Sequence, residues 1–559
     1  MRSTLRLLLL SVVLFCTVSE PAAQPTTGLT SFTAGEPSPG YNLIFPHNQP
    51  HVYLLNNCGQ IVHRWNSPSV RRPGNTAYLL PDGNIVIASR YFASVNDPIW
   101  AGGGGEYVEI RNWDNDTLWS FTLNDTLRRL HHDIAPMPNG NILMIAWELK
   151  TFEEAVQAGR NPALMPQHKF WPDYIFEINP ATNNIVWEWH VWDHLIQDFD
   201  PTKDNFGSVA AHPELVDLNY DDNGGNPDWM HSNAIDYNPV LDQIALSVPT
   251  FNEIWIIDHS TTTEEAAGHT GGRSGRGGDL LYRWGNPSVY GAGDSTHQRL
   301  FYPHDIHWAD DFLDASHPHY GKLVAFNNQV GPNFSSAEIF NPAFDTLTWS
   351  YPMAEGRWLP VQSDQTVTHP VPTRMYSDGT SSIRLQPNGN ILLCSGRQGY
   401  AFELNEELDI VWEYITPLVG GVPIAQGSTA TNNLTFRMER YPESYPGLEG
   451  KDLSPKGYIE LNPDTTFCSL ISSIGETDTE MPDWKLYPNP AGDELWIEWN
   501  GDAPAFLEFF DAMGRLQHKT KPVGNTPTRL SVTDWPSGVY YLSDSRSEEH
   551  TSELQSRQY

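Results

Sequence analysis

The 559-residue chain carries 33 Lys+Arg against 68 Asp+Glu, a formal net charge of −35. A surface that acidic disfavours nucleic acid and anionic membranes, so an anionic substrate needs a local positive site working against the global field. Aromatics at 12%, with 20 Trp, suit a β-rich fold, and the length suits a propeller with an appendage better than one compact domain.

Residues 1–24 read as a secretory signal. Arg2 and Arg6 form its basic start, Leu7 to Phe15 its apolar run, and Pro21-Ala-Ala-Gln24 its small-residue exit. The apolar run is too short to span a bilayer. Cys16 follows Phe15 rather than a small residue, which speaks against a lipoprotein anchor. Cys58, Cys394 and Cys468 remain, an odd number with no Cys-x-x-Cys spacing, so neither a disulfide framework nor a cysteine metal site is expected.

From 40 to 465 two patterns interleave. One is a strand ending in an aromatic: Gln60-Ile-Val-His-Arg-Trp65, Asp116-Thr-Leu-Trp-Ser-Phe121, Asn184-Ile-Val-Trp-Glu-Trp189, Asp279-Leu-Leu-Tyr-Arg-Trp284, Leu347-Thr-Trp-Ser-Tyr351 and Asp409-Ile-Val-Trp-Glu-Tyr414. The other is a tight turn feeding a strand: Leu80-Pro-Asp-Gly-Asn-Ile-Val-Ile87, Met137-Pro-Asn-Gly-Asn-Ile-Leu-Met144 and Gln386-Pro-Asn-Gly-Asn-Ile-Leu-Leu393. Hairpins repeated at this spacing predict an all-β fold, a six-bladed β-propeller. Blade one is expected over 75–121, blade two over 131–190, blade three over 231–284, blade four over 304–351 and blade five over 381–414. The sixth is shared by 41–65 and 433–461, because a ring must close without raw edges. Insertions at 149–172 and 191–229 are read as loops capping one face, and 261–278 as an exposed loop.

Residues 466–483 turn to Ser, Thr, Glu and Asp and read as a linker. Residues 484–545 predict a small β-sandwich C-terminal domain with short strands and Gly/Asn-rich turns. Its motifs, Tyr487-Pro-Asn-Pro490 and Gly538-Val-Tyr-Tyr541, resemble the C-terminal sorting domain of the Bacteroidetes type IX secretion system. The resemblance implies the secretion machinery as a partner and a secreted or cell-surface location. Residues 546–559 have no apolar pattern and are read as a non-native tail resembling a translated library adapter, with the natural C-terminus missing.

Aligning the blades on their Asn-Gly turns puts Asn75, His132, His231, His304 and Ser381 at the start of successive innermost strands. Equivalent positions converge on the axis, so three imidazoles are expected to face one funnel. Three imidazoles can bind zinc, exchange protons or form a covalent nucleophile. No carboxylate is dedicated to completing a metal site: Asp133 and Asp305 follow their histidines directly and point to the opposite strand face.

The segments His131-His-Asp-Ile-Ala-Pro-Met-Pro-Asn-Gly-Asn-Ile-Leu143, Trp229-Met-His-Ser-Asn-Ala-Ile-Asp-Tyr-Asn-Pro239, Phe251-Asn-Glu-Ile-Trp-Ile-Ile-Asp258 and Leu300-Phe-Tyr-Pro-His-Asp305 resemble the bacterial arylsulfate sulfotransferase family. That resemblance implies transfer of a sulfuryl group from a phenolic sulfate ester to an acceptor phenol, without a nucleotide donor or other cofactor. It implies a transiently sulfated histidine, His304. It implies that His132, His231 and Asn233 hold the sulfate and phenolic oxygens. One departure stands out: Pro249 occupies the place where the family pattern has an arginine. Arg90 and Arg397, at the ends of equivalent strands in blades one and five, are the replacements considered, against the alternative of solvated loop arginines. A non-catalytic ligand-binding propeller and a metal-dependent hydrolase or lyase are the rival readings. His190, His194 and His212 are weaker metal candidates, and Gly102 to Gly105 reads as a hairpin connection rather than a phosphate loop.

Overall fold

The structure is a computed structural model. It describes residues 26–92 and 99–465, and in the C-terminal unit 484–487, 493–499, 506–511, 516–522, 527–535, 538–544 and 551–556. The expected signal at 1–24 and linker at 466–483 lie outside the described residues. The chain divides into two compact units, 1–467 and 468–559.

The first unit contains six four-stranded antiparallel blades. Blade one is built from Arg71–Leu79, Ile85–Tyr91, Tyr107–Arg111 and Thr117–Thr122, and blade two from Arg128–Pro136, Ile142–Glu148, Asp173–Asn179 and Asn184–His190. Blade three is Ala234–Asn238, Gln243–Val248, Glu253–Asp258 and Tyr282–Trp284. Blade five is Ser381–Leu385, Ile391–Ser395, Tyr400–Leu404 and Ile410–Ile415, with Gly28–Phe32 added outside it. Blade six closes the ring: Thr435–Tyr441 is its innermost strand, beside Tyr41–Pro46, His51–Asn56 and Ile61–Asn66. Strands from both ends of the propeller segment thus share one sheet.

Blade four corrects an expectation. Its strands are Pro303–Trp308, Leu323–Gly331, Phe334–Phe340 and Gln365–Val367, so the outer strand is not Leu347–Tyr351. That stretch folds back in a local turn, with Asp345 bridged to Ser350, and Tyr351 Oη donates to Gln243 Oε1 of blade three at 2.6 Å. Its aromatic is used in packing between blades rather than in a ladder.

The two repeated patterns have distinct physical jobs. In the turns, Gly83, Gly140 and Gly389 take φ of 81°, 84° and 90°, a left-handed conformation that glycine adopts without the Cβ penalty. The aromatics that end the outer strands bind the next blade. Trp65 Nε1 donates to Asn112 O, Trp189 to Gly278 O, Trp284 to Pro360 O and Trp412 to Asn57 O, at 3.2, 2.7, 2.7 and 2.8 Å. Trp65, Trp189 and Trp412 are fully buried, so each adds apolar area and a satisfied N–H to an inter-blade layer. The hydrophobic clusters lie between neighbouring blades, as in the layer of Val86, Val108, Ile134, Met144 and Phe176 between blades one and two.

The insertions at 149–172 and 191–229 pack on each other. The helix Phe152–Ala158 opens with a capping box from Thr151 and Glu154. Arg160 Nη1 donates to Leu218 O at 2.5 Å and Asn205 Nδ2 to Ala158 O at 3.1 Å. Cys58 is disulfide-bonded and Cys394 is a buried free thiol. No helix among the described residues is long and apolar enough to cross a membrane.

The second unit has a three-stranded sheet, Trp484–Tyr487, Glu494–Trp499 and Thr528–Ser531. Its four-stranded sheet comprises Leu507–Asp511, Leu516–Thr520, Gly538–Asp544 and Thr551–Ser556. Leu495, Ile497, Leu507, Phe509, Leu530 and Leu542 form one core from both sheets. Thr551–Ser556 pairs with Gly538–Asp544 as an edge strand, which differs from the expectation that the fold ends by 545. Backbone pairing at a sheet edge requires no apolar alternation, so the sequence pattern carries no sign of it.

Candidate active site

In four blades the inner backbone bends sharply where it meets the axis. His132 and His231 have φ of 51° and 55°, and Tyr302 and Thr380 both have φ of 60°. Left-handed backbone at non-glycine residues costs about 1–2 kcal/mol each and collects at functional sites. Here the four residues line one cavity of about 260 Å³.

All six blades contribute to its lining. Blade six supplies His47, Leu434 and Phe436; blade one Asn75, Arg90 and Trp100 to Gly104; blade two His132; blade three His231; blade four Tyr302 and His304; blade five Gly379, Thr380 and Arg397. The structure therefore brings together His132, His231, His304, Arg90 and Arg397. The rings of His132 and His231 meet edge to face at 4.4 Å, and Tyr302 lies 6.1 Å from His231 and 5.8 Å from His304.

His304 is buried, and its hydrogen bonds define its tautomer. Asn328 Nδ2 donates to Ser377 O and Ser381 Oγ, which turns Asn328 Oδ1 toward His304 Nδ1 at 2.9 Å. Nδ1 therefore carries the proton, and Nε2 accepts from the backbone N–H of Thr380 at 2.9 Å. Burial and the neighbouring His231 charge push its pKa down to about 3, so the ring is neutral with its lone pair on Nε2.

His231 is tuned the other way. Burial disfavours its charge, but Asp228, whose Oδ2 accepts from Nδ1 at 2.5 Å, outweighs burial and raises its pKa. Asp228 also accepts from Trp147 Nε1 at 2.8 Å, so the 191–229 insertion delivers an oriented carboxylate to this histidine. His132 is driven well below the usual range by burial and then by His231. Its Nδ1 is 2.9 Å from His131 Nδ1; His131 stacks on Trp147 at 4.1 Å and has Nε2 3.5 Å from Asp173. Rings whose pKa values are pushed apart in one cavity are the arrangement that acid–base chemistry uses.

The cavity cations sit at the ends of second strands. Arg90 Nε donates to Pro73 O at 3.3 Å and its guanidinium lies 5.1 Å from the Trp100 ring centroid. Arg397 Nε pairs with Asp378 at 2.9 Å with its side chain about half exposed. Both touch the cavity, unlike freely solvated loop arginines. Pro249 opens a buried turn, Pro249–Phe251, whose Thr250 Oγ1 donates to Trp229 O and Met230 O and so holds the backbone leading to His231.

Asn233 lies outside the lining. It is fully buried, with Nδ2 donating to Pro303 O at 3.0 Å and Oδ1 accepting from Ser247 Oγ at 2.5 Å. It grips the residue before His304 and has both polar ends engaged, so the expected substrate contact is corrected to a positioning one.

Several lining residues escaped the sequence reading. His47 ends the second strand of blade six, the position that Arg90 and Arg397 hold in their blades; extending that rule to the shared blade would have found it. Burial, then Arg90 and Arg397, push it to about 3, and its buried Nε2 has no hydrogen-bond partner among the described residues. The glycine run is more than a connection. A Cβ on Gly103 would lie 2.0 Å from His132 Nε2, so only glycine lets this backbone close over the ring. His190 pairs with Glu148, His194 with Asp279 and His212 with Glu214, so these three do not form one metal site.

Residues 43–269 match the family described as Arylsulfotransferase (ASST), and residues 485–554 match the secretion system C-terminal sorting domain. No curated protein matches the chain. Among solved structures, a protein of unknown function from Bacteroides caccae is 10% identical with a TM-score of 0.38, covering 72% of this chain and 98% of its own. Virginiamycin B lyase from Staphylococcus aureus is 11% identical with a TM-score of 0.32, covering 74% and 97%.

Proposed function

We propose that this propeller, a member of the arylsulfotransferase family joined to a type IX sorting domain, transfers a sulfuryl group between phenols through a sulfated His304. The observation that carries the reading is the neutral His304, whose Nε2 lone pair sits in a cavity that also holds His231, the ring whose pKa Asp228 raises against burial.

In the first half-reaction Nε2 of His304 leaves the Thr380 N–H and attacks the sulfur of an aryl sulfate. The N–S bond forms as the bond from sulfur to the phenolic oxygen breaks. The departing oxygen takes the Nε2 proton of His231, whose Nδ1 proton stays with Asp228. An acceptor phenol then returns a proton to His231 and attacks the same sulfur, releasing neutral His304. Splitting one transfer into two lets one pocket serve both phenols in turn. Arg90, Arg397 and the backbone N–H of Thr380 would bear the sulfuryl oxygens, where charge-assisted bonds are strongest. We further propose that residues 1–24 direct entry to the export route that ends with the sorting domain.

Replacing His304 by alanine is expected to lower release of a chromogenic phenol from its sulfate ester by roughly three orders of magnitude or more, with the thermal midpoint little changed. Normal release by H304A would remove His304 from the chemistry. Pro249 at the arginine position favours a second reading, a binding propeller without turnover. Wild-type protein that binds aryl sulfates and releases no phenol would establish that reading instead.

A further inference from the structure

Away from the cavity, the 191–229 insertion and the 261–278 loop of blade three meet at a cluster of His194, His269 and Asp279. We propose that this cluster is a binding site for a divalent transition-metal ion of the zinc class, which staples the two loops together.

His194 has a defined tautomer. Its Nε2 lies 2.8 Å from the carbonyl oxygen of Ala266, an acceptor only, so Nε2 carries a proton. In a neutral ring Nδ1 is then a lone pair, and it faces Asp279 Oδ1 at 2.8 Å. His269 Nδ1 approaches the same oxygen at 2.7 Å. Each gap between imidazole nitrogen and carboxylate oxygen needs a proton or a cation: His269 can supply its own N–H, whereas His194, already protonated at Nε2, faces the carboxylate with a lone pair unless a further proton or a cation lies between them. A backbone carbonyl that holds the far nitrogen of a histidine fixes the orientation of a metal-ligating imidazole. Two imidazoles and one carboxylate are a donor set suited to zinc, with a further position left for water.

The surroundings are built to hold two ligands still and leave the third free to close. His194 is fully buried and stacks parallel to Trp189 at 5.6 Å, and the side chain of Asp279 is 9% exposed. Trp189 Nε1 donates to Gly278 O at 2.7 Å. A Cβ on Gly278 would lie 2.0 Å from Ala266 O and 2.5 Å from His194 Nε2, so the backbone packs hard against the ligand it orients. His269, by contrast, is 59% exposed. Ligand atoms around tetrahedral zinc stand about 3.3 Å apart. Entry of the ion therefore widens both contacts to Asp279 Oδ1 by about half an ångström, through a swing of the exposed His269 ring on one side and a small rotation of the Asp279 carboxylate away from His194 on the other.

The test uses full-length protein stripped with a chelator, dialysed and titrated with zinc chloride by calorimetry, with elemental analysis of the product. One equivalent is expected, together with a rise in thermal midpoint. H269A, a surface substitution, is expected to weaken binding by more than about tenfold and to abolish the rise. D279N should do the same. Absence of saturable zinc, or an equal affinity in H269A, would overturn the proposal; the second result would show zinc seated elsewhere, such as on the cavity imidazoles, and the first would leave the cluster bridged by protons alone.

Discussion

Consecutive residues of the inner strands meet opposite environments. His132, His304 and Phe436 line the cavity, whereas Asp133, Asp305 and Arg437, each one residue further on, enter a buried ion-pair hub. In the hub the charges are compensated. Arg437 reaches Asp133 at 2.6 Å and Asp305 at 2.8 Å, and Arg384 reaches Asp305 at 2.5 Å. Asp133 also accepts from Ile235 N, and Asp305 from Ile383 N, so each carboxylate ties its blade to the next. On the cavity side His304 is held neutral and His47 Nε2 is unpartnered among the described residues. The same strands thus carry a buried ion-pair hub on one face and the candidate site on the other, a division that follows from the alternation of side chains along a strand.

Substitutions can separate the two faces. The largest effect short of losing His304 is expected from D228N. It removes the carboxylate that overcomes burial at His231, so turnover should fall by about 10²–10⁴-fold, the range for loss of general acid–base help. Because Asp228 raises the His231 pKa, the alkaline limb of the pH–rate profile should move to lower pH in D228N. No acid limb from His304 is expected above about pH 3. A D228N limb that stays in place would contradict the assignment of His231 as the acid.

R437M strikes the other face. It leaves Asp133, nearly inaccessible, without its cation and Asp305 with Arg384 alone, and should destabilise the propeller by about 3–5 kcal/mol in denaturant unfolding. An unaffected midpoint would mean that the hub is not what joins the blades.

A smaller, pH-dependent effect is expected at His259, outside both layers. Its ring bridges Asp242 at 2.8 Å and Glu177 at 3.1 Å. Although burial opposes the charge, those carboxylates raise its pKa to about 9. A group raised in the folded state stabilises fully below its unfolded pKa, about 6.5, and loses that contribution as pH rises through about 9. The stability gap between wild type and H259Q should therefore shrink between those values, from up to about 3 kcal/mol; a gap that is flat with pH would show the ring acting by packing alone.

Much of the fold was legible because its elements are local. Pro-Asn-Gly-Asn turns at 138–141 and 387–390 dictate hairpins, and His132, His231 and His304, singled out from the repeats, line one cavity although they sit at different points of their strands. What stayed hidden depends on contacts distant in sequence. Leu347–Tyr351 carries the repeat pattern, yet the fourth blade takes Gln365–Val367 because its aromatic packs on blade three. Asn233 sits two residues from His231 but turns to Pro303 and Ser247. His47 belongs to the one blade assembled from both ends of the ring, where no Asn-Gly turn sets the alignment. Asp228 lies in an insertion whose path cannot be read from periodicity.

The central claim is that sulfuryl transfer passes through His304. Full-length protein would be mixed briefly with an isotopically labelled aryl sulfate in the absence of acceptor, digested at alkaline pH to preserve the N–S bond, and its peptides sequenced by mass spectrometry. The account predicts label on the His304 imidazole, discharged when a phenol is added. Phenol release with no labelled histidine, or label on His132 or His231 instead, would contradict it.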